Sequence, residues 1–228
     1  MVERRAIIGF FLPALLAQGY AAATGSECDI RYLDRCSADL FLFASRNTIP
    51  TNEDDAAKFC KVQLDAEACS RACVEKCEPR VQGWSDIFLD LIKEEIKKRC
   101  STSYRYHNES IKYAPCLNSV GSSLHACMKD TVANLDIASR LPSEQRVEGA
   151  CCHYNKLHGC WRKAAESGCP KEAVEFLQNV LQLYDGYLLG DVCRLYKCDA
   201  IQYDDKPGNA SLRSLLTPLL KVFAALYV

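Results

Sequence analysis

The groups best equipped for chemistry in this 228-residue chain are its 15 cysteines, all of which fall between Cys28 and Cys198. Thiols at this density either ligate metal or form crosslinks, and the redox compartment decides which. The N-terminus indicates that compartment. Glu3, Arg4 and Arg5 precede an apolar run from Ala6 to Leu16, then Gln18, Gly19 and three alanines. That is the charged, apolar, small-residue order of a signal peptide over residues 1–23, with cleavage expected after Ala23. The run is too short to cross a bilayer as a helix, which takes roughly 20 residues. An exported chain meets oxidants, so disulfides are expected rather than zinc thiolates. The count is odd, which leaves at least one thiol free or paired between chains.

The cysteine spacing repeats. Cys36, Cys60, Cys69, Cys77 and Cys100 map onto Cys127, Cys151, Cys160, Cys169 and Cys193 with offsets of 91, 91, 91, 92 and 93, and Cys28 with Cys116 makes a looser sixth match at 88. Flanking segments echo each other: Ala44-Ser45-Arg46 resembles Ala138-Ser139-Arg140, and Ile49-Pro50-Thr51 resembles Leu141-Pro142-Ser143. The chain therefore reads as an internal duplication. A first Cys-rich half spans 24–105, a second spans 106–200, and a tail covers 201–228. If pairing is shared by the halves, matched bonds recur in both. Cys73, Cys152 and Cys198 lie outside the repeat and are the candidates for a cross-half bond plus one free thiol.

Histidine is the other reactive type. In Cys151-Cys152-His153-Tyr154-Asn155-Lys156-Leu157-His158-Gly159-Cys160 a double cysteine precedes histidines, as it does in secreted phospholipases A2. The resemblance stops there. In that family the histidine follows the pair after two residues and precedes a calcium-holding aspartate, whereas His158 is further away and precedes Gly159. No Gly-rich loop upstream offers carbonyls to calcium. His153 and His158 are five apart, off the four-residue spacing that puts two ligands on one helical face. His107 falls in a polar link and His125 beside Ala126 and Cys127, so all four histidines read as partly exposed and structural. No G-x-S-x-G elbow, phosphate loop or H-E-x-x-H occurs. Neither catalysis nor a cofactor is expected.

These residues need helices to position them. Thr51-Asn52 and Pro142-Ser143 are entry signals, and Gly168 is a stop. Cys69, Cys73 and Cys77 recur every four residues, which stacks them along one helical stripe. The last helix of each half is the most amphipathic: Ile87, Phe88, Leu91, Ile92 and Ile96 form one apolar face, and Val174, Leu177, Leu181, Tyr184 and Leu188 its counterpart. Alternating strand patterns are scarce, so the fold class is all-α, a disulfide-rich helical protein of two related halves. The stretch from Ser101 to Pro115, with three tyrosines, reads as the seam.

Charge excludes one class of partner. The whole chain has 28 basic and 29 acidic residues, which leaves no bulk attraction for nucleic acid. The run Lys93-Glu94-Glu95-Ile96-Lys97-Lys98-Arg99 mixes signs at helical spacing, with Glu94–Lys98 and Glu95–Arg99 each four apart, and reads as a solvated helix face. Two sequons, at Asn108 and Asn209, are expected to carry N-glycans in the secretory path. The tail turns apolar from Leu212 to Val228 after a polar stretch, which suits either a GPI-anchor signal or an amphipathic helix on the body or on lipid. Lys221, Pro218 and the short spacer weigh against the anchor.

The Cys151-Cys152 pair, Cys160 and Cys169, a long amphipathic helix, and Asp191-Val192-Cys193 followed by Cys198 resemble the arthropod 27 kDa haemolymph glycoprotein family. That resemblance covers most of the chain beyond the leader and is strongest after Cys116. It implies an extracellular glycoprotein of body fluid and brings no established reaction. The expectation is a secreted, non-catalytic binding or carrier protein for an apolar small molecule or an extracellular protein. A GPI-tethered surface module and a phospholipase A2-like hydrolase are the rivals.

Overall fold

A computed structural model describes residues 28–196, 198 and 211–223, without the side chains of Tyr187 and Leu188. The signal-peptide segment, Asn209 and Leu188 as a core residue thus lie outside the described residues. Eight α-helices run in order: α1 Ile30–Cys36, α2 Glu53–Val74, α3 Pro79–Cys100, α4 Arg105–Ser119, α5 Gly121–Ala138, α6 Ser143–Glu166, α7 Lys171–Cys193 and α8 Leu216–Phe223. A 3-10 turn, Ser37–Asp39, follows α1, and no strand occurs among the described residues.

The helix boundaries follow local chemistry. Asn52 caps α2 by accepting a hydrogen bond from the Asp55 N–H at 2.9 Å, and Glu53, Asp54 and Asp55 put negative charge at the positive end of its dipole. Pro79 opens α3 at a position where a missing N–H costs nothing. Helix α2 stops at Val74, so Cys69 and Cys73 share its stripe while Cys77 lies beyond its end. Gly168 lies just past the α6 cap at Ser167. Most of the stretch from Ser101 to Pro115, expected as the seam between the halves, is α4, anchored by buried His107, Ser110, Ala114 and Leu117, with Pro115 carried inside the helix. The apolar anchors on both sides of Pro115 outweigh the hydrogen bond the proline forfeits.

Helices α2 and α3 pack together, as do α5 with α6 and α6 with α7, and α3 lies against α7. One continuous core results, centred on Trp161, Phe43, Phe176 and Phe223. Of the expected α3 face, Phe88, Ile92 and Ile96 are buried and Leu91 is half-buried, but Ile87 is 43 % exposed; Leu89 takes the inward position instead. Helix α8 is buried on nearly all sides against α1, α3, α5 and α6, with the Phe223 ring tilted against Trp84 at 5.0 Å between centroids. Its single charge, Lys221, reaches the Asp136 carboxylate at 3.1 Å. Of the alternatives for the tail, its described part, residues 211–223, thus takes the form of a helix packed on the body.

The segment from Leu40 to Ile49 ties the first half to the second. Leu40 to Ala44 are buried outside any helix, so their backbone polar groups need partners from elsewhere. Gln63 on α2 donates to the carbonyls of Asp39 and Leu40, the Tyr184 hydroxyl on α7 accepts from the Leu42 N–H, and a His125 ring nitrogen lies 2.8 Å from the Phe43 carbonyl. Asn118 takes the Ile49 N–H and donates to the Ile49 carbonyl, both at 2.8 Å. Gly121 is required where α5 begins, because a Cβ there would stand 1.9 Å from the Asn47 carbonyl oxygen.

Candidate functional site

All fifteen cysteines are described, and seven bonds form. The first half holds Cys28–Cys77, Cys36–Cys69 and Cys60–Cys100; the second holds Cys116–Cys169, Cys127–Cys160 and Cys151–Cys193. Each bond of the second half joins the two cysteines that the sequence offset matches to a bonded pair of the first. The seventh, Cys152–Cys198, corrects an expectation: it closes within the second half, so no bond crosses between halves. Cys73 is the free thiol. It is buried at the α1–α2 junction, and burial together with the Asp29 carboxylate pushes its thiol above the usual range, away from the reactive thiolate.

Two polar clusters lie within this framework. In the first, Arg99 is paired with Glu95 and both are buried, the reverse of the solvated face that their spacing suggests. Arg99 also donates to Gln63, and the Tyr106 hydroxyl donates to Glu95 at 3.1 Å. His107, expected to be partly exposed, is buried with Nδ1 on the Arg99 carbonyl and Nε2 facing Glu53, each at 2.8 Å. Burial lowers and the Glu95 charge raises the Arg99 pKa, with a net upward shift, while burial and Glu95 raise those of Tyr106 and Tyr184. Every arm of this cluster ends on another part of the protein. Its task is to fasten α2, α3, α4 and α7.

The second cluster opens to solvent. On α6, Asn155, His158, Gly159 and Arg162 occupy positions i, i+3, i+4 and i+7, which share one helical face; on α7, Gln178, Gln182 and Asp185 do the same at i, i+4 and i+7. The two faces meet along a groove of about 370 Å³ lined by Asn155, His158, Gly159, Arg162, Gln178 and Gln182. At its edge the Nε2 of His158 lies 3.0 Å from the Oδ2 of Asp185. The His158 side chain is about one-third exposed, and the Tyr154 ring meets it edge-on at 4.9 Å. Asp185 is buried, and its Oδ1 has no hydrogen-bond partner. Burial pushes Asp185 up to about 8 and His158 below its usual value, which favours a neutral carboxylic acid facing a neutral imidazole. Immediately after Asp185, α7 breaks at Gly186, whose φ of 53° and ψ of −162° suit glycine alone.

The other candidates read from the sequence lie outside these two clusters. His153 is buried, not partly exposed, and burial with the Lys156 charge brings it down to about 4. Asn108 is exposed on α4. Sequence reasoning misses Asp185 and the glutamines of α7, although an Asp-Gly dipeptide inside an apolar helix is a signal that could have found them. The apolar space between α2, α3 and α4, beside Phe59 and Ile49, has room for only about 10 Å³, no more than about one water molecule. Among the described residues no group of three or more His, Cys, Asp and Glu is gathered for a metal ion, and no helix is long and apolar enough to cross a membrane. Comparison with protein-family models, curated proteins and solved structures finds no match to this chain.

Proposed function

We propose that this is a secreted, non-catalytic binding protein whose two halves arose by duplication and whose ligand site is the polar groove between α6 and α7. The observation that carries the binding reading is the lining of the groove. Its space of about 370 Å³, within the range of small-molecule sites, lies between two facing rows of polar side chains, Asn155, His158 and Arg162 on α6 and Gln178 and Gln182 on α7, with the buried Asp185 behind His158. This favours a polar ligand over the apolar cargo expected of a carrier. The matched disulfides of the halves support the duplication. Seven bonds support export into an oxidising compartment, which the N-terminal segment 1–23 would direct. The burial of α8 favours an untethered form over a tail-anchored one. The resemblance to the haemolymph glycoproteins rests on cysteine spacing and helix pattern, with no family model matching the chain, and the proposal stands without it.

Native mass spectrometry of secreted material tests this reading. The expected result is a chain that begins after Ala23, carries seven disulfides, and releases a non-covalent polar small molecule on denaturation. Material that holds no ligand, and whose melting temperature no polar metabolite or lipid raises, would overturn it.

One observation favours a second reading. The Nε2 of His158 lies 3.0 Å from Asp185, and an ionised Asp185 would hold the ring proton on Nε2 and leave the Nδ1 lone pair to take a proton from an attacking water. Ester hydrolysis that disappears in His158→Ala would select this hydrolytic reading; activity unchanged by that substitution would remove it.

A further inference from the structure

We infer that the α6–α7 groove is a site for an oxyanion, a phosphate or carboxylate group on a small polar ligand, gripped by Arg162, His158 and the side-chain amides of Asn155, Gln178 and Gln182. The inference rests on the binding reading and names the chemistry of its ligand.

Three features at this place are not needed for folding. Gly159 sits in the middle of a 24-residue helix where a Cβ would meet nothing within 4 Å, so a better helix former would fit without strain, and the glycine keeps the groove floor low. Asp185 is buried with an orphan oxygen, an arrangement that packing alone disfavours. Helix α7 breaks at Gly186, directly beside that aspartate, in a backbone conformation that only glycine adopts readily. A glycine without a packing reason, a buried acid without its full set of partners and a strained backbone are the departures expected around a functional site rather than within a scaffold.

The lining sets the sign and the shape of the ligand group. Arg162 is its one fixed charge, and no carboxylate lines the groove. Glu166 stands 4.0 Å from the Arg162 Nε, a loose contact that leaves the guanidinium able to turn toward a bidentate acceptor. The amides of Gln178 and Gln182 on one wall and Asn155 on the other supply N–H donors across the groove.

His158 becomes a further donor through Asp185. When Asp185 holds its proton, it donates to Nε2, and the imidazole proton must then sit on Nδ1. When the proton has passed to the ring, both nitrogens carry hydrogen and Asp185 accepts from Nε2. In either form Nδ1 presents N–H for the ligand, so Asp185 acts as a positioning residue that fixes the tautomer.

The test is a titration of the full secreted chain with inorganic phosphate and, separately, with acetate, followed by NMR of the His158 ring, the Arg162 Nε–H and the glutamine side-chain amides. Saturable shifts at these signals are expected, with phosphate, acetate or both identifying the oxyanion accepted. Arg162→Gln is expected to weaken binding about tenfold or more, since it removes a charge-assisted pair. Gly159→Leu, placed where nothing opposes a side chain, is expected to abolish binding while the fold and the disulfide map persist. Asp185→Asn can still donate to Nε2 and should retain most of the affinity that Asp185→Leu loses. Absence of shifts with both probes, or shifts indifferent to Arg162→Gln and Gly159→Leu, would overturn the inference. If both probes fail while a ligand released from the secreted protein shifts the same signals, the oxyanion assignment falls and the binding reading survives. If nothing shifts them, both fall.

Discussion

The Nε of Arg99 lies 2.7 Å from the Oε1 of Glu95, one helical turn away, and both side chains are buried, at 5 % and 0 % exposure. Two charges taken out of water hold their place only while each neutralises the other, and Gln63 and Tyr106 complete the arrangement. Removing one partner strands the other. Arg99→Met is expected to cost about 3–5 kcal/mol in chemical denaturation of the oxidised protein, while the double change Glu95→Leu with Arg99→Met recovers most of that loss. A double variant as unstable as the single one would show that the pair contributes more than mutual neutralisation.

Trp161 is fully buried, donates its indole N–H to the Leu124 carbonyl at 3.1 Å and meets Phe43 edge-on at 5.8 Å. It thereby joins α6 to α5 and to the buried segment of the first half. Trp161→Ala is expected to lose about 3–5 kcal/mol through the cavity it leaves. Trp161→Phe should lose less, because most of the ring is replaced and only the donor goes. Equal losses would locate the effect in the hydrogen bond.

The helical class and the cysteine framework are legible in the sequence because both rest on local periodicity and constant spacing. Asn52 is recognisable as a cap because its partner, Asp55, is three residues away. Glu95 and Arg99 mislead because an i, i+4 ion pair has the same sequence on a wet face as on a buried one; only the packing of α3 against α2, α4 and α7 distinguishes the two. The role of segment 40–49 depends on Gln63, Asn118, His125 and Tyr184, which are 23 to 142 residues from the groups they meet. His158 and Asp185 are likewise brought together by the antiparallel run of α6 and α7, which no window along one helix contains. Tail residues 212–223 look fit for lipid because a helix buried in protein and one buried in membrane are both apolar.

Disulfide mapping by mass spectrometry of unreduced protein should return the seven pairs described above with Cys73 as the one alkylated residue. Alkylation will require denaturant, because the Cys73 thiol is buried. Replacing both Cys36 and Cys69 by serine releases a loop of 33 residues, and the chain-entropy account puts the loss at about 3–4 kcal/mol. Removing the matched Cys127–Cys160 bond, which spans the same 33 residues, should cost a similar amount. A map that joins residues of the first half to residues of the second would break the correspondence between halves.

The pH dependence of stability should show two opposed slopes. His153, neutral in the fold down to about pH 4 against 6.5 when exposed, makes the unfolded chain bind more protons between those values. Stability therefore rises with pH across that window, and His158, shifted in the same direction, adds to the rise. Asp185 acts in the opposite sense. Its folded pKa of about 8 stands above the unfolded 3.8, so the folded chain binds the extra proton, and the stability this gives is complete below pH 3.8 and is lost as pH rises toward 8. Between pH 6.5 and 8 the histidines no longer oppose it. Thermal melts in that interval should fall with pH for the natural chain and stay level for Asp185→Asn, whose side chain does not titrate. A variant that declines as steeply as the natural chain would mean that Asp185 is already ionised in the fold, held as the carboxylate partner of a protonated His158.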